Sequence, residues 1–202
     1  NQAETVATLR SRVIVEQLIT EQDLLPLLFP DQWDATKGEW LETDPKRTPT
    51  LSDGYRVFDK KIRSVDEDRK TGIVTLAIEF TDREKTAEWA NDLVRRANEL
   101  LRQRAMADAS ATLEYLDREL GRTTKVELRE SLYQLVEAQQ KTLAMANTRP
   151  DFAVRVIDPA VVPGLRDRVW PQRPLIAMVF TALGGLLGAA IDLARHLMRR
   201  GS

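Results

Sequence analysis

The sequence predicts an α-rich α/β protein: a small mixed sheet at a membrane-proximal base, a long helical hairpin as a stalk, and a C-terminal transmembrane helix. Three stretches carry that reading. Residues 83–120 contain neither Gly nor Pro, so Asp82 can cap one uninterrupted helix over 82–120. Lys61–Asp66 and Ile73–Phe80 flank a turn through Asp68–Gly72, and Val74, Leu76, Ile78 and Phe80 alternate. That alternation predicts a β-hairpin with one buried face. Pro174–Ile191 is an uncharged run of 18 residues, within the about 17–25 residues that a helix needs to cross a bilayer core.

Val6, Leu9, Val13, Leu18 and Leu24 recur at near-helical spacing over residues 5–25, and Pro26 ends the pattern. Residues 27–50, rich in Pro, Asp and Thr, read as a loop that Trp33 and Trp40 pack down rather than a sugar platform. Leu51–Lys60 predicts a short helix capped by Thr50 or Ser52. Gly121 supplies a stop for the long helix. Thr124-x-x-Glu127 then forms a capping box for a second helix over 124–148, which ends before Pro150. The first helix is ~57 Å long and the second ~35 Å, and a strand over Phe152–Asp158 adds about 23 Å. Outward and return paths match, which predicts that this strand pairs with the 61–80 hairpin at the base. Ala90, Leu93, Ala97 and Leu100 form one apolar strip at helical spacing, and Leu113, Leu116 and Leu120 form another. Such strips close an internal core, contact neighbouring subunits, or do both.

Thirty basic against 31 acidic residues and a mean hydropathy of −0.36 describe an ordinary soluble chain. The average conceals a division. Residues 1–163 carry a net charge of roughly −5 and residues 164–202 roughly +4, an asymmetry that suggests membrane contact at the basic end. The predicted organisation is a body over 1–163, a Pro/Arg juxtamembrane linker over 164–173, a transmembrane helix over 174–194 and a short tail over 195–202. Trp170 suits the interface, and Arg195, Arg199 and Arg200 bias the C-terminus toward the cytoplasm. Pro171 and Pro174 stand at the helix entrance, where a missing N–H costs little. Gly184 and Gly188 form GxxxG, a small-residue face for close helix approach in lipid. The chain begins at Asn1 without Met and shows no signal peptide, so a first membrane helix is expected ahead of Asn1.

Catalytic chemistry is hard to find. With no Cys, disulfides, thiol nucleophiles and thiolate metal sites are excluded, and His196 alone cannot make HExxH. Neither GxxxxGK[ST] nor GxSxG occurs. Asp66, Glu67 and Asp68 lack EF-hand spacing and read as a solvated turn. A net charge of −1 removes the main basis for nucleic-acid binding. The expectation is a protein that is not an enzyme, with no catalytic residue, cofactor or metal.

The order LRSR (Leu9–Arg12), DRKTGIVTLAIEFTDREKTAEWANDLVRRAN (Asp68–Asn98), ELRESLYQLVEAQQK (Glu127–Lys141), VIDPAVVP and a Pro-led apolar run resembles the chain-length determinant, or polysaccharide co-polymerase (Wzz-like), family of the bacterial inner membrane. The most specific pieces are Thr71, Gly72, Asp82, Ala87, Trp89 and Asn91, and the DPA-x-x-P stretch with the Pro/Gly segment after it. Pro159, Pro163, Pro171 and Pro174 match the family's proline-rich approach, and Gly184 and Gly188 match its second membrane helix. The resemblance implies a periplasmic α/β body, a homo-oligomer, and a non-enzymatic scaffold. That scaffold would set the chain length of O-antigen, capsule or exopolysaccharide with a polymerase as partner, touching membrane lipid and the growing glycan. A membrane activator of a separate tyrosine autokinase and an adaptor of a capsule exporter are the alternatives.

Overall fold

At Ser11 the backbone leaves the helical region (φ −65°, ψ 148°), so the helix predicted over residues 5–25 is two. α1 spans Gln2–Leu9 and α2 spans Arg12–Glu21. The break resets the helical phase: Val13 lies exposed, whereas Ile14, Val15, Leu18 and Ile19 are buried. One side chain accounts for it. The buried guanidinium of Arg63 donates to the carbonyls of Leu9 (2.7 Å), Arg10 (3.0 Å) and Ser11 (3.4 Å). These acceptors lose their intrahelical partners where a helix ends. Arg63 also pairs with Asp59, and Arg10 in turn donates to the Val65 carbonyl at 2.5 Å.

The computed structural model describes residues 2–42, 44, 46–149, 151–164, 178 and 180–181. The chain divides into two units, Asn1–Val162 and Pro163–Ser202. Pro171, Pro174, Gly184, Gly188 and the span predicted over 174–194 lie outside the described residues, apart from Met178, Phe180 and Thr181, which are helical. Among the described residues, no helix is long and apolar enough to cross a membrane.

After α2, Asp23 takes a left-handed conformation (φ 47°) and Leu24 N–H returns to the Ile19 carbonyl at 2.9 Å. Pro26 ends nothing. It sits in the first turn of α3 (Leu25–Leu28), where its absent N–H has no partner to lose. The segment read as a loop contains a small ribbon, β1 (Trp33–Asp34) against β2 (Glu39–Trp40), turned at Gly38 with φ 70°. Trp33 and Trp40 meet edge to face across it at 5.0 Å. α4 spans Leu51–Val57, and the choice of cap falls on Thr50. Its hydroxyl accepts from Asp53 N–H while the Asp53 carboxylate accepts from Thr50 N–H. A π-helical turn, Phe58–Ile62, carries Phe58 and Ile62 into the core.

β3 (Arg63–Asp68) and β4 (Ile73–Ile78) pair antiparallel, with Arg63 opposite Ile78 and Asp68 opposite Ile73. Gly72 closes the turn at φ 74°, a conformation that costs glycine little. The predicted face is the buried one: Ile78 is in the core, and Val74, Leu76 and Phe80 pack against it. α5 (Arg83–Arg122) is 40 residues long and starts as predicted, with Asp82 accepting from the N–H groups of Glu84 and Lys85. Its N-terminal half completes the core. Trp89 is fully buried between Phe58 (5.8 Å) and Phe80 (4.7 Å), and its indole N–H donates to Gln22 at 3.0 Å.

Three expectations fail beyond this point. Gly121 does not stop α5, which runs to Arg122 before Thr123 turns extended. α6 (Val126–Thr148) begins after Lys125, which makes Glu127 the second helical residue rather than the third, so no capping box with Thr124 forms. Phe152–Asp158 is not a strand. Among the described residues the sheets are two antiparallel pairs, so the predicted mixed sheet is a hairpin alone. The segment does return to α5, but asparagine side chains take its N–H groups. Asn98 Oδ1 accepts from Ala153 and Val154 at 2.9 and 3.0 Å.

Replacing Arg63 with Ala strands the carbonyls of the α1–α2 junction, and we expect a loss of about 3 kcal/mol in the urea-unfolding free energy. Asp59→Asn should cost under ~1 kcal/mol, because Asp59 stands near solvent. Equal losses for the two variants would show that the ion pair, not the carbonyl contacts, matters. Gly121 is helical with open space at its Cβ position. Gly121→Ala should therefore raise stability by about 0.5 kcal/mol in the same assay.

Candidate functional site

Of the residues with the most specific sequence signature, Thr71, Gly72, Asn91 and Asp158–Ala160 converge on one region of the first unit. Asn91 and Asn98 are seven apart on α5, hence on one helix face. Asn91 Nδ2 donates to the Ala160 carbonyl at 2.8 Å, and Asn91 Oδ1 accepts from Ala160 N–H at 3.1 Å. The carboxamide, with both a donor and an acceptor, thus mimics one rung of a β-ladder. Residues 153–160 run back along α5 toward its N-terminus. Between them and β4 lies a cleft of about 710 Å³, lined also by Gln2, Thr5, Leu9, Ala90 and Val94.

Two stretches that carry the family resemblance are therefore bonded to each other, since Asn91 belongs to one and Ala160 to the other. Each remaining member of the first stretch has a structural task. Thr71 donates its hydroxyl to Asp68, Gly72 supplies the positive φ, Asp82 caps α5, and Ala87 and Trp89 are buried. Sequence reasoning missed Asn98 and Arg63. Neither stands out by type, and their signal is only that a polar residue falls beside an apolar stripe.

Ala90, Leu93 and Ala97 are buried in the core, and Leu100 packs against it. This strip therefore serves the internal core. Further along α5, Ala109 and Leu116 are buried, as is Ala146 on α6. Arg102 bridges the helices, reaching the Ala146 carbonyl at 3.4 Å while paired with Glu99 at 2.8 Å. Pro159 is exposed and Pro163 half-buried. On α6, Leu128 and Leu135 are exposed, as are Val126 and Tyr133. Each pair is seven residues apart, so the pairs draw two exposed apolar lines on different sides of α6.

The charged groups of this region are engaged in packing. Arg96 joins Glu21 of α2 (2.5 Å) to Asp92 of its own helix (2.7 Å). The hydrogen bond from Arg96 holds the Glu21 carboxyl below its ordinary value, as those from Arg102 and then Gln103 do for Glu99. A lowered carboxylate stabilises the fold above pH 4.5 and loses that contribution as pH falls through its lower folded value. Among the described residues, no three His, Cys, Asp or Glu side chains converge as a metal ligand set. The arrangement offers surfaces and a cleft; its asparagines bind backbone and its charged groups pair with one another.

Residues 117–197 match the family model GNVR, described as "G-rich domain on putative tyrosine kinase". The matched stretch opens in the last turns of α5 and takes in α6, the returning segment and the apolar run. GNVR domains are associated with the polysaccharide co-polymerase, Wzz-like family, in agreement with the resemblance read from the sequence. Comparison with curated proteins and with solved structures returns no match.

Asn91→Ala and Asn98→Ala each remove the side-chain partner of backbone N–H groups in 153–160. Losing roughly 1.4 kcal/mol of local protection should speed amide exchange there about tenfold. Hydrogen exchange read by mass spectrometry checks this, with the β3–β4 hairpin unchanged as the internal control.

Proposed function

We propose, from the premise that the chain carries a GNVR domain of the polysaccharide co-polymerase kind, that it is a non-enzymatic scaffold in the bacterial inner membrane. It regulates the chain length of a surface polysaccharide together with a polymerase. The body lies in the periplasm, the 174–194 helix crosses the membrane and the tail is cytoplasmic. One observation carries the reading: the GNVR match covers the segment whose backbone is bonded to the Asp82–Asn91 stretch.

The surfaces support a self-associating scaffold. A single helix with apolar lines on opposite flanks suits head-to-tail contact, in which one flank of a copy meets the other flank of the next. The acidic body and the basic, apolar C-terminal stretch support the topology.

The description of the matched family favours a second reading, a membrane activator of a separate tyrosine autokinase. Under it, loss of the chain would abolish kinase autophosphorylation, with polysaccharide length changing only as a consequence.

Deleting the gene should broaden or shift the polysaccharide length distribution on gels while lipid-linked repeat units persist. Complementation with Leu128→Lys plus Leu135→Lys should leave helicity unchanged, shrink the detergent-solubilised oligomer and fail to restore length control. Complete loss of repeat units would point to an enzyme instead.

A further inference from the structure

Four aliphatic side chains stand exposed on the segment that returns along α5: Val156, Ile157, Val161 and Val162, with Ile157 and Val161 each 76 % exposed. Scattered aliphatic residues on a surface are ordinary, but four within one short stretch are not scattered. Nor does the stretch hang loose. Ala153, Val154 and Ala160 are hydrogen-bonded to Asn98 and Asn91, so the fold sets where these side chains stand.

The residues next in the chain indicate their partner. Arg155 is exposed beside them, and Arg166, Arg168, Trp170 and Arg173 come after Val162, before the uncharged run begins at Pro174. The chain from Val162 to Pro174 reaches at most about 40 Å when fully extended. Aliphatic groups with nearby arginines and a Trp have the composition of a contact with an anionic lipid surface.

We propose that Val156, Ile157, Val161 and Val162 insert into the headgroup–acyl boundary of an anionic bilayer, with Arg155 at the lipid phosphates. The insertion seats the returning segment on the membrane and rests on the membrane-scaffold reading above. A depth of about 5–10 Å keeps Asp158, the one acidic residue of 152–164, at the hydrated headgroup level.

The absence of cysteine makes the test direct, because each introduced Cys is unique. Ile157→Cys, Val161→Cys, Glu130→Cys and Ala182→Cys are made in the full chain and labelled with an environment-sensitive fluorophore. The labelled chains are reconstituted into vesicles of phosphatidylethanolamine and phosphatidylglycerol carrying shallow or deep nitroxide lipids. We expect blue-shifted emission at 157 and 161 with stronger quenching by shallow than by deep nitroxide. Position 182 should be quenched most by deep nitroxide, and 130, exposed on α6, should behave as in water. If 182 is deep but 157 and 161 match 130, the proposal fails and the membrane-span reading stands. A blue shift at 157 and 161 that persists in detergent and resists every lipid quencher would mean that protein covers them, which also overturns it. Water-like emission at 182 would overturn the membrane reading and this inference with it.

Discussion

The guanidinium of Arg63 supplies donors to three backbone carbonyls at the break between α1 and α2, that of Leu9 in a buried contact, and the body depends on that contact. A helix that continued through Arg10 would place Val13 inward and leave Ile14 and Val15 out of phase with the core. The break at Ser11 lets both short helices present their apolar sides to one centre. Such a break is costly unless the freed carbonyls find partners. Arg63 supplies donors in a rigid fork that a lysine could not reproduce. Because Arg63 opens β3, the same contact fixes the hairpin against the α1–α2 corner, and the reciprocal bond from Arg10 to Val65 closes the joint.

On the far side of the hairpin a different device holds the chain. The returning segment lies near β4 without joining its ladder, tied instead to α5 by two asparagines. A carboxamide carries a donor and an acceptor at fixed spacing, so Asn91 serves both backbone groups of Ala160 at once. The consequence is a cleft rather than a third strand. The base of the protein is stapled helix to loop, and the hairpin contributes its apolar face rather than its edge.

Beyond the core, the buried residues along α5 and α6 include Leu101, Ala109, Leu116 and Ala146, two of them small. Small residues let two helices approach closely but remove little apolar area from water. Of the larger apolar groups of α6, Leu132, Val136 and Leu143 are half-buried, whereas Val126, Leu128, Tyr133 and Leu135 are exposed. Ion pairs such as Arg96 with Glu21 and Asp92 knit helices together instead of converging on a site.

Much of this was legible in the sequence because it is local. The Asp82 cap, a cap at Thr50 or Ser52, the alternation of Val74, Leu76, Ile78 and Phe80, and a long helix through the Gly- and Pro-free residues 83–120 follow from nearest-neighbour chemistry, which acts wherever those residues stand. The GNVR match likewise falls on stretches that the resemblance had singled out. What tertiary structure decided was every case in which a backbone group had two possible partners. The carbonyls of Leu9–Ser11 bond to an arginine more than fifty residues away rather than to the next helical turn. The N–H groups of Ala153, Val154 and Ala160 bond to asparagines of α5 rather than to a strand. Gly121 remains helical because no left-handed turn is required of it there. Periodicity records which side of a segment is apolar, but the partner of a polar backbone group is set by what the fold brings within about 3 Å of it.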